Sequence, residues 1–189
     1  MEKSLFEFES FADNDEINVF VETAKGSGSK FKYEPELGLF SLHKSLPKGM
    51  EFPYDYGFIP STLGEDGDPL DVLVLIDTDV FPGCLVKARL IGVIEARQKD
   101  KKKEERNDRL IAVHARSTTW EKISEMDELP SGLLDQIEHF FISYHDLHGM
   151  EFTPIGRKNS KHAVKLIKEG IRRFQKSKSS PKASEKRSK

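Results

Sequence analysis

Cysteine is almost missing from these 189 residues. Cys84 stands alone, so no internal disulfide can form and nothing calls for an oxidising compartment. The cytosol is the expected location. Long apolar stretches are also missing: the longest aliphatic run is Val72 to Ile76, far below the roughly 18 residues a membrane-spanning helix needs. The chain starts with acidic Glu2, Glu7 and Glu9, where a secretory leader is basic and then apolar, so neither signal peptide nor membrane anchor is expected. What the chain does have is a hydrophobic fraction of 37% with 13 phenylalanines, enough for a packed interior, which excludes wholesale disorder. Its length suits one domain around one core.

Charge is unevenly spread. Of 30 basic and 32 acidic residues, the segment 176–189 holds six basic and one acidic, a net +5 that leaves −7 on residues 1–175. That segment, KSKSSPKASEKRSK, has no apolar residue larger than Ala183, too little burial to offset the entropy of ordering. The expected organisation is therefore a domain over 1–175 followed by a basic, disordered, solubilising tail over 176–189. Lacking aromatic residues, the tail has nothing on which nucleic-acid bases could stack.

Period-2 alternation marks strands. Ile17, Val19 and Val21 fall on one face and Asn18, Phe20 and Glu22 on the other; after the turn Lys25 to Ser29, Lys32 and Glu34 share a face opposite Phe31 and Tyr33. Further β-rich runs at Leu39–Leu42, Val72–Ile76, Leu85–Glu95 and Leu110–Val113 favour a small antiparallel barrel or sandwich. The pattern then changes to period 3.6. Leu133, Ile137, Phe140, Phe141, Tyr144 and Leu147 predict a helix after Pro130 that stops at Gly149; Val164, Ile167, Ile171 and Phe174 predict a second, capped by Asn159 or Ser160. Strands first and helices last suggest a β-barrel with helices packed outside. The run Arg97 to Arg109, with seven basic and four acidic residues, reads as a solvated loop.

The densest acidic signal is Glu65-Asp66-Gly67-Asp68-Pro69-Leu70-Asp71, directly before an apolar strand. Carboxylates this close repel one another unless a cation sits among them, and a hard metal is their natural partner. As a bare pattern the segment fits a polar turn equally well. A calcium-binding EF-hand loop does not fit, because Asp71 stands where that loop requires glycine and the flanks are not helical. His139, His145 and His148 do not share a face and have no cysteine nearby, so a surface helix is the expected reading over zinc.

Together with Phe52-Pro53-Tyr54-Asp55-Tyr56-Gly57-Phe58-Ile59-Pro60, the Asp66–Asp71 segment resembles the soluble inorganic pyrophosphatases of the β-barrel type (family I). Lys32-Tyr33-Glu34, Gly83 through Gly92, and His139-Phe140-Phe141 through Tyr144 extend the likeness over roughly Val19 to Gly149. The resemblance implies a mainly β fold built on an OB-like, five-stranded closed barrel, dependence on Mg2+, hydrolysis of pyrophosphate to two phosphates, and a homo-oligomer. It further implies Asp66 and Asp71 as metal ligands, Glu34 as ligand of a further metal, and Asp68 as the base that takes a proton from metal-acidified water. Glu22 supports the acidic shell. Lys32, Lys44, Tyr56, Tyr144 and His145 would contact the phosphates; Tyr144, on its helix's apolar stripe, also reads as core.

Several positions depart from that pattern. Lys44 replaces an arginine, Phe52 a tyrosine, Arg109 a catalytic lysine, and His145 a lysine, the last expected to be only partly charged at neutral pH. Before Leu110, where the family places two aspartates five apart, stand Asn107 and Lys102. A shift of one makes Asp108 the candidate ligand, with Asp100, Glu104 or Glu105 as a second. Fewer acidic ligands predict a raised magnesium requirement. Two rivals remain: a metal phosphohydrolase of larger polyphosphates or nucleotides, and an OB-like nucleic-acid-binding module, which the acidic domain disfavours.

Overall fold

The computed structural model describes residues 4–101 and 103–179. Five strands close a ring: β1 (Ile17–Thr23), β4 (Asp55–Ile59), β5 (Leu70–Leu75), β8 (Arg109–His114) and β6 (Leu85–Lys99) are hydrogen-bonded in that order, and β6 returns to β1. The expected five-stranded barrel is thus present. One pair, β5 with β8, is parallel, with Val72 facing Leu110, so the ring is not wholly antiparallel. A hairpin of β2 (Ser29–Glu34) and β3 (Leu39–Ser45) forms a separate two-stranded sheet.

Alternate side chains of the same strands enter different cores. Val72, Val74, Leu110 and Ala112 join Ile17, Val19 and Val21 in a cluster that draws on all five ring strands. Leu73, Leu75, Ile111 and Val113 face the other way, onto Ile137 and Phe141 of α1 (Leu133–Asp146). Burial on both faces explains why β5 reads as an unbroken aliphatic run. The second helix, α2 (Ser160–Ser179), sets Ala163 and Ile167 against the first cluster. Its first turn is capped as the sequence suggests, Asn159 Oδ1 accepting the His162 N–H at 3.1 Å. Gly149, at φ 67°, follows α1 as expected, with Met150 N donating to the His145 carbonyl at 3.1 Å.

Three strands escape the periodicity argument. β4 is short, and β9 (Glu151–Asn159) holds Pro154 and Gly156 and pairs along one side of β6 only. The charged run expected to be a loop instead carries the end of β6 and β7 (Glu104–Arg106), an exposed ribbon on which Arg97 pairs with Glu104 at 2.8 Å. Such a ribbon is solvated and stabilised by cross-strand charge, so it shows no apolar alternation. At the other end, α2 runs past the expected boundary at Gln175 to Ser179, where Lys178 reaches Glu7 at 2.5 Å; the remaining tail, 180–189, lies outside the described residues. Among the described residues no helix is long and apolar enough to cross a membrane.

Candidate active site

Between the β2–β3 hairpin, the turn before β5 and the end of α1 lies a cleft of about 240 Å³. The turn is built by its own polar groups: Gly64 N donates to the Asp68 carbonyl at 2.7 Å, and Asp68 N to Asp66 Oδ1 at 3.1 Å. Gly67, at φ 89°, takes the left-handed conformation that the bend requires. Folded this way, Asp66, Asp68 and Asp71 all line the cleft, as the spacing suggested. Burial, followed by the charge of Asp71, raises the Asp66 pKa to about 6. Asp71 is 2.7 Å from the guanidinium of Arg109, which is buried, stacked against Phe141 and Phe152, and hydrogen-bonded to the carbonyls of Asn107 and Asp108.

The hairpin brings the cations. Lys32 Nζ lies 2.9 and 3.1 Å from the two Asp68 oxygens. Lys30, two residues earlier on the same face, also lines the cleft, its ammonium 5.0 Å from the centre of the Tyr56 ring and 6.0 Å from that of Tyr144. No motif singles out Lys30, although the alternation that places Lys32 on this face places it there as well. Lys44 is opposite Lys30 across the hairpin and faces the same space. Two ammonium groups paired across strands repel, and a polyanion between them would relieve the cost. Glu34, on the same face of β2, does not line the cleft; its Oε1 accepts from Ser41 Oγ at 2.8 Å.

Glu22 sits at a bulge of β1, 6% exposed, and accepts the Tyr33 N–H at 2.8 Å, which fixes β2 against β1. Burial raises its pKa to about 7. Tyr56 and Tyr144 are both buried, with Phe52 between them, so Tyr144 belongs to the core and to the cleft together. Desolvation pushes the Tyr56 phenol well up and that of Tyr144 to about 12, leaving both hydroxyls protonated donors at physiological pH. His145 is buried, Nδ1 lying 2.7 Å from the Phe141 carbonyl oxygen; burial and the charge of Arg109 lower its pKa to about 3, so the ring is neutral where partial charge was expected.

On the loop side, Asp108 accepts the Ala96 N–H at 3.0 Å and pairs with Arg106 at 2.9 Å; it does not line the main cleft but, with Asp66 and Asp71, lines a smaller pocket of about 100 Å³. Asn107 reaches the main cleft instead, with Glu105 and Gln98, whose side-chain oxygen accepts from Asn107 Nδ2 at 2.7 Å. No local pattern singles out Gln98. Lys102 lies outside the described residues, and Asp100 and Glu104 do not line the cleft.

Comparison with known proteins agrees with this geometry. The family model described as inorganic pyrophosphatase matches residues 19–175. An inorganic pyrophosphatase of Halalkalibacterium halodurans is 37% identical over 84% of this chain and 94% of its own, and one of Saccharolobus solfataricus is 38% identical over 84% and 92%. The crystal structure of the inorganic pyrophosphatase from Thermus thermophilus superposes with a TM-score of 0.84 at 32% identity, covering 92% of this chain and 99% of that one. A ring of strands, a carboxylate turn facing a lysine hairpin, and relatives matched nearly end to end lead to one assignment: the chain belongs to the inorganic pyrophosphatase family.

Proposed function

We propose that this chain hydrolyses pyrophosphate to two phosphates with magnesium as its metal, and that the cleft between Asp66–Asp71 and the hairpin is where it does so. The observation that carries the reading is the convergence of Asp66, Asp68 and Asp71 with Lys30, Lys32 and Tyr56 from distant segments. The donor set suits a hard divalent ion: Asp66 and Asp71 offer carboxylate oxygens, and the Asp66 pKa is raised first by burial and then by the charge of Asp71, a cost to the ionised form that a bound cation would offset. When bound there, magnesium would acidify the attacking water and share the charge of the phosphates.

The remaining work falls to the side chains. Asp68 faces the cleft, held by Lys32, and accepts the proton of the water whose oxygen bonds to one phosphorus; the bridging oxygen leaves with the other phosphate. Lys30, Lys44 and Arg109 grip phosphate oxygens by charge, and the phenols of Tyr56 and Tyr144 donate hydrogen bonds. Glu22 positions Lys32 by holding the Tyr33 N–H. His145, neutral, contributes a hydrogen-bonding surface.

Phosphate release from pyrophosphate, tripolyphosphate and ATP, each with magnesium, tests the reading. Turnover of pyrophosphate far above the other two supports it; preference for a longer polyphosphate or a nucleotide would overturn the substrate assignment, and oligonucleotide binding without hydrolysis would replace it. We further propose a cytoplasmic homo-oligomer. Leu37, Leu39 and Leu42 are 70, 64 and 62% exposed on and beside the hairpin, apolar surface that assembly would cover. Light scattering of the purified chain checks this.

A further inference from the structure

Charge is segregated along the chain more sharply than the tail alone indicates. Residues 160–189 hold 11 basic and two acidic side chains, a net +9, whereas residues 1–159 hold 19 basic and 30 acidic ones, a net −11. Most of the basic surplus lies on α2. One side of that helix buries Ala163 and Ile167 against the ring, and Arg173 Nε donates to the Leu63 carbonyl at 2.7 Å. On the opposite side Lys161, Lys165, Lys168, Arg172 and Lys176 are all exposed. At 3.6 residues per turn these five fall within an arc of about 80° and extend over about 22 Å, with a cation roughly every 5 Å along the axis.

Acidic groups do not answer this row. Among the described residues Lys161, Lys165 and Lys168 enter no ion pair, and Arg172 has Glu169 at 3.9 Å. Lys158 and Lys178, near its two ends, are turned to Glu95 at 4.0 Å and to Glu7 at 2.5 Å. Like charges three and four residues apart destabilise a helix, so a polyanion laid along the row removes a standing repulsion. Its shape narrows the choice of polyanion. A helix that lies on a membrane inserts its apolar face, and that of α2 is already covered by the ring. The row also lacks the aromatic side chains on which the bases of a single strand stack. A duplex is a denser line of phosphates and is held by charge alone; counterion release depends on the local row of cations, which the acidic remainder of the chain leaves intact.

We propose that the exposed face of α2 is a docking surface for the phosphate backbone of duplex nucleic acid, bound without regard to sequence. The surface stands on charge and shape whatever the cleft does. Its use rests on the hydrolase reading above: nucleotidyl transfer releases pyrophosphate where a nucleic-acid strand is extended, so docking there places the cleft beside a source of its substrate.

Fluorescence anisotropy of a labelled, mixed-sequence DNA duplex, titrated with the full chain at several salt concentrations, tests the surface. Four or five phosphate contacts predict that affinity falls about a hundredfold or more between about 50 and 200 mM salt. Lys165→Glu combined with Lys168→Glu should weaken binding about tenfold or more at the lower salt and make the slope of log affinity against log salt shallower by about two, with the circular dichroism and phosphate release of wild type. Lys165→Gln with Lys168→Gln should give the same change in slope, and Lys165→Arg with Lys168→Arg should bind as wild type does. Absence of duplex binding by the full chain would overturn the proposal. So would a folded glutamate or glutamine double variant that binds as wild type does, which would give the duplex to residues 180–189, or tighter binding to phosphatidylserine vesicles at equal phosphate. Phosphate release by the wild type is measured alongside: its absence refutes the hydrolase reading, whereas the anisotropy bears on α2.

Discussion

Arg109 offers the sharpest test of how the cleft balances its charges. The side chain is 3% exposed and pairs at 2.7 Å with Asp71, itself 18% exposed. Replacing Arg109 with methionine keeps most of the packing against Phe141 and Phe152 but leaves Asp71 without its cation in a poorly hydrated place. Breaking one side of a buried pair costs about 3–5 kcal/mol, and the partial exposure of Asp71 puts the expected loss near the lower end, about 3 kcal/mol. For a chain of this size that is a fall in melting temperature of roughly 6–12 °C in metal-free buffer. If Asp71 is a metal ligand, magnesium should bind the variant more tightly, since it no longer displaces a guanidinium, and the stabilisation it gives should grow accordingly. Urea unfolding with EDTA and then with saturating magnesium separates the two effects. The expected result is a large gap between variant and wild type without metal that narrows with it. A variant as stable as wild type in EDTA, or a gap that magnesium does not narrow, would refute the reasoning.

Other outcomes follow from the same geometry. Asp68→Asn should fold normally and lose about 10²–10⁴-fold in phosphate release, the range for a lost proton acceptor, measured as kcat at saturating pyrophosphate. Glu22 has its pKa raised from 4.5 to about 7, so between these values the folded state binds more protons than the unfolded one. Metal-free stability should therefore fall as pH rises from 4.5 through 7, by roughly 3 kcal/mol at most, and Glu22→Gln should flatten that dependence in chemical unfolding. Gly57→Ala should destabilise by about 3 kcal/mol or more, because a Cβ there would lie 2.1 Å from the Phe20 carbonyl oxygen, and a thermal melt reads the loss.

Legibility varied with the kind of signal. The ring strands β1, β5, β6 and β8 were readable because burial on one or both faces leaves an apolar trace, and the two helices because Ile137, Phe141 and Ile167 recur at helical spacing. β7 and β9 left no such trace, being stabilised by pairing to β6 while most of their side chains face water. Within the site, the turn from Asp66 to Asp71 was legible as a unit because its carboxylates lie within six consecutive residues. The loop side was not: whether Asn107 or Asp108 faces the cleft depends on the register of β8 against β6, where the pairing shifts between Leu90 and Gly92.

What the sequence determined by itself was a β-rich domain with terminal helices and a carboxylate turn in need of a cation, since each of these is written in neighbouring residues. Tertiary structure alone decided which basic group answers which acid. Lys32 meets Asp68 across 36 positions of chain, Arg109 meets Asp71, and Lys30 hangs over Tyr56 and Tyr144 because closure of the ring brings the hairpin, the turn and the end of α1 to one place. Charge pairing is a property of distance in space, and strand register sets that distance.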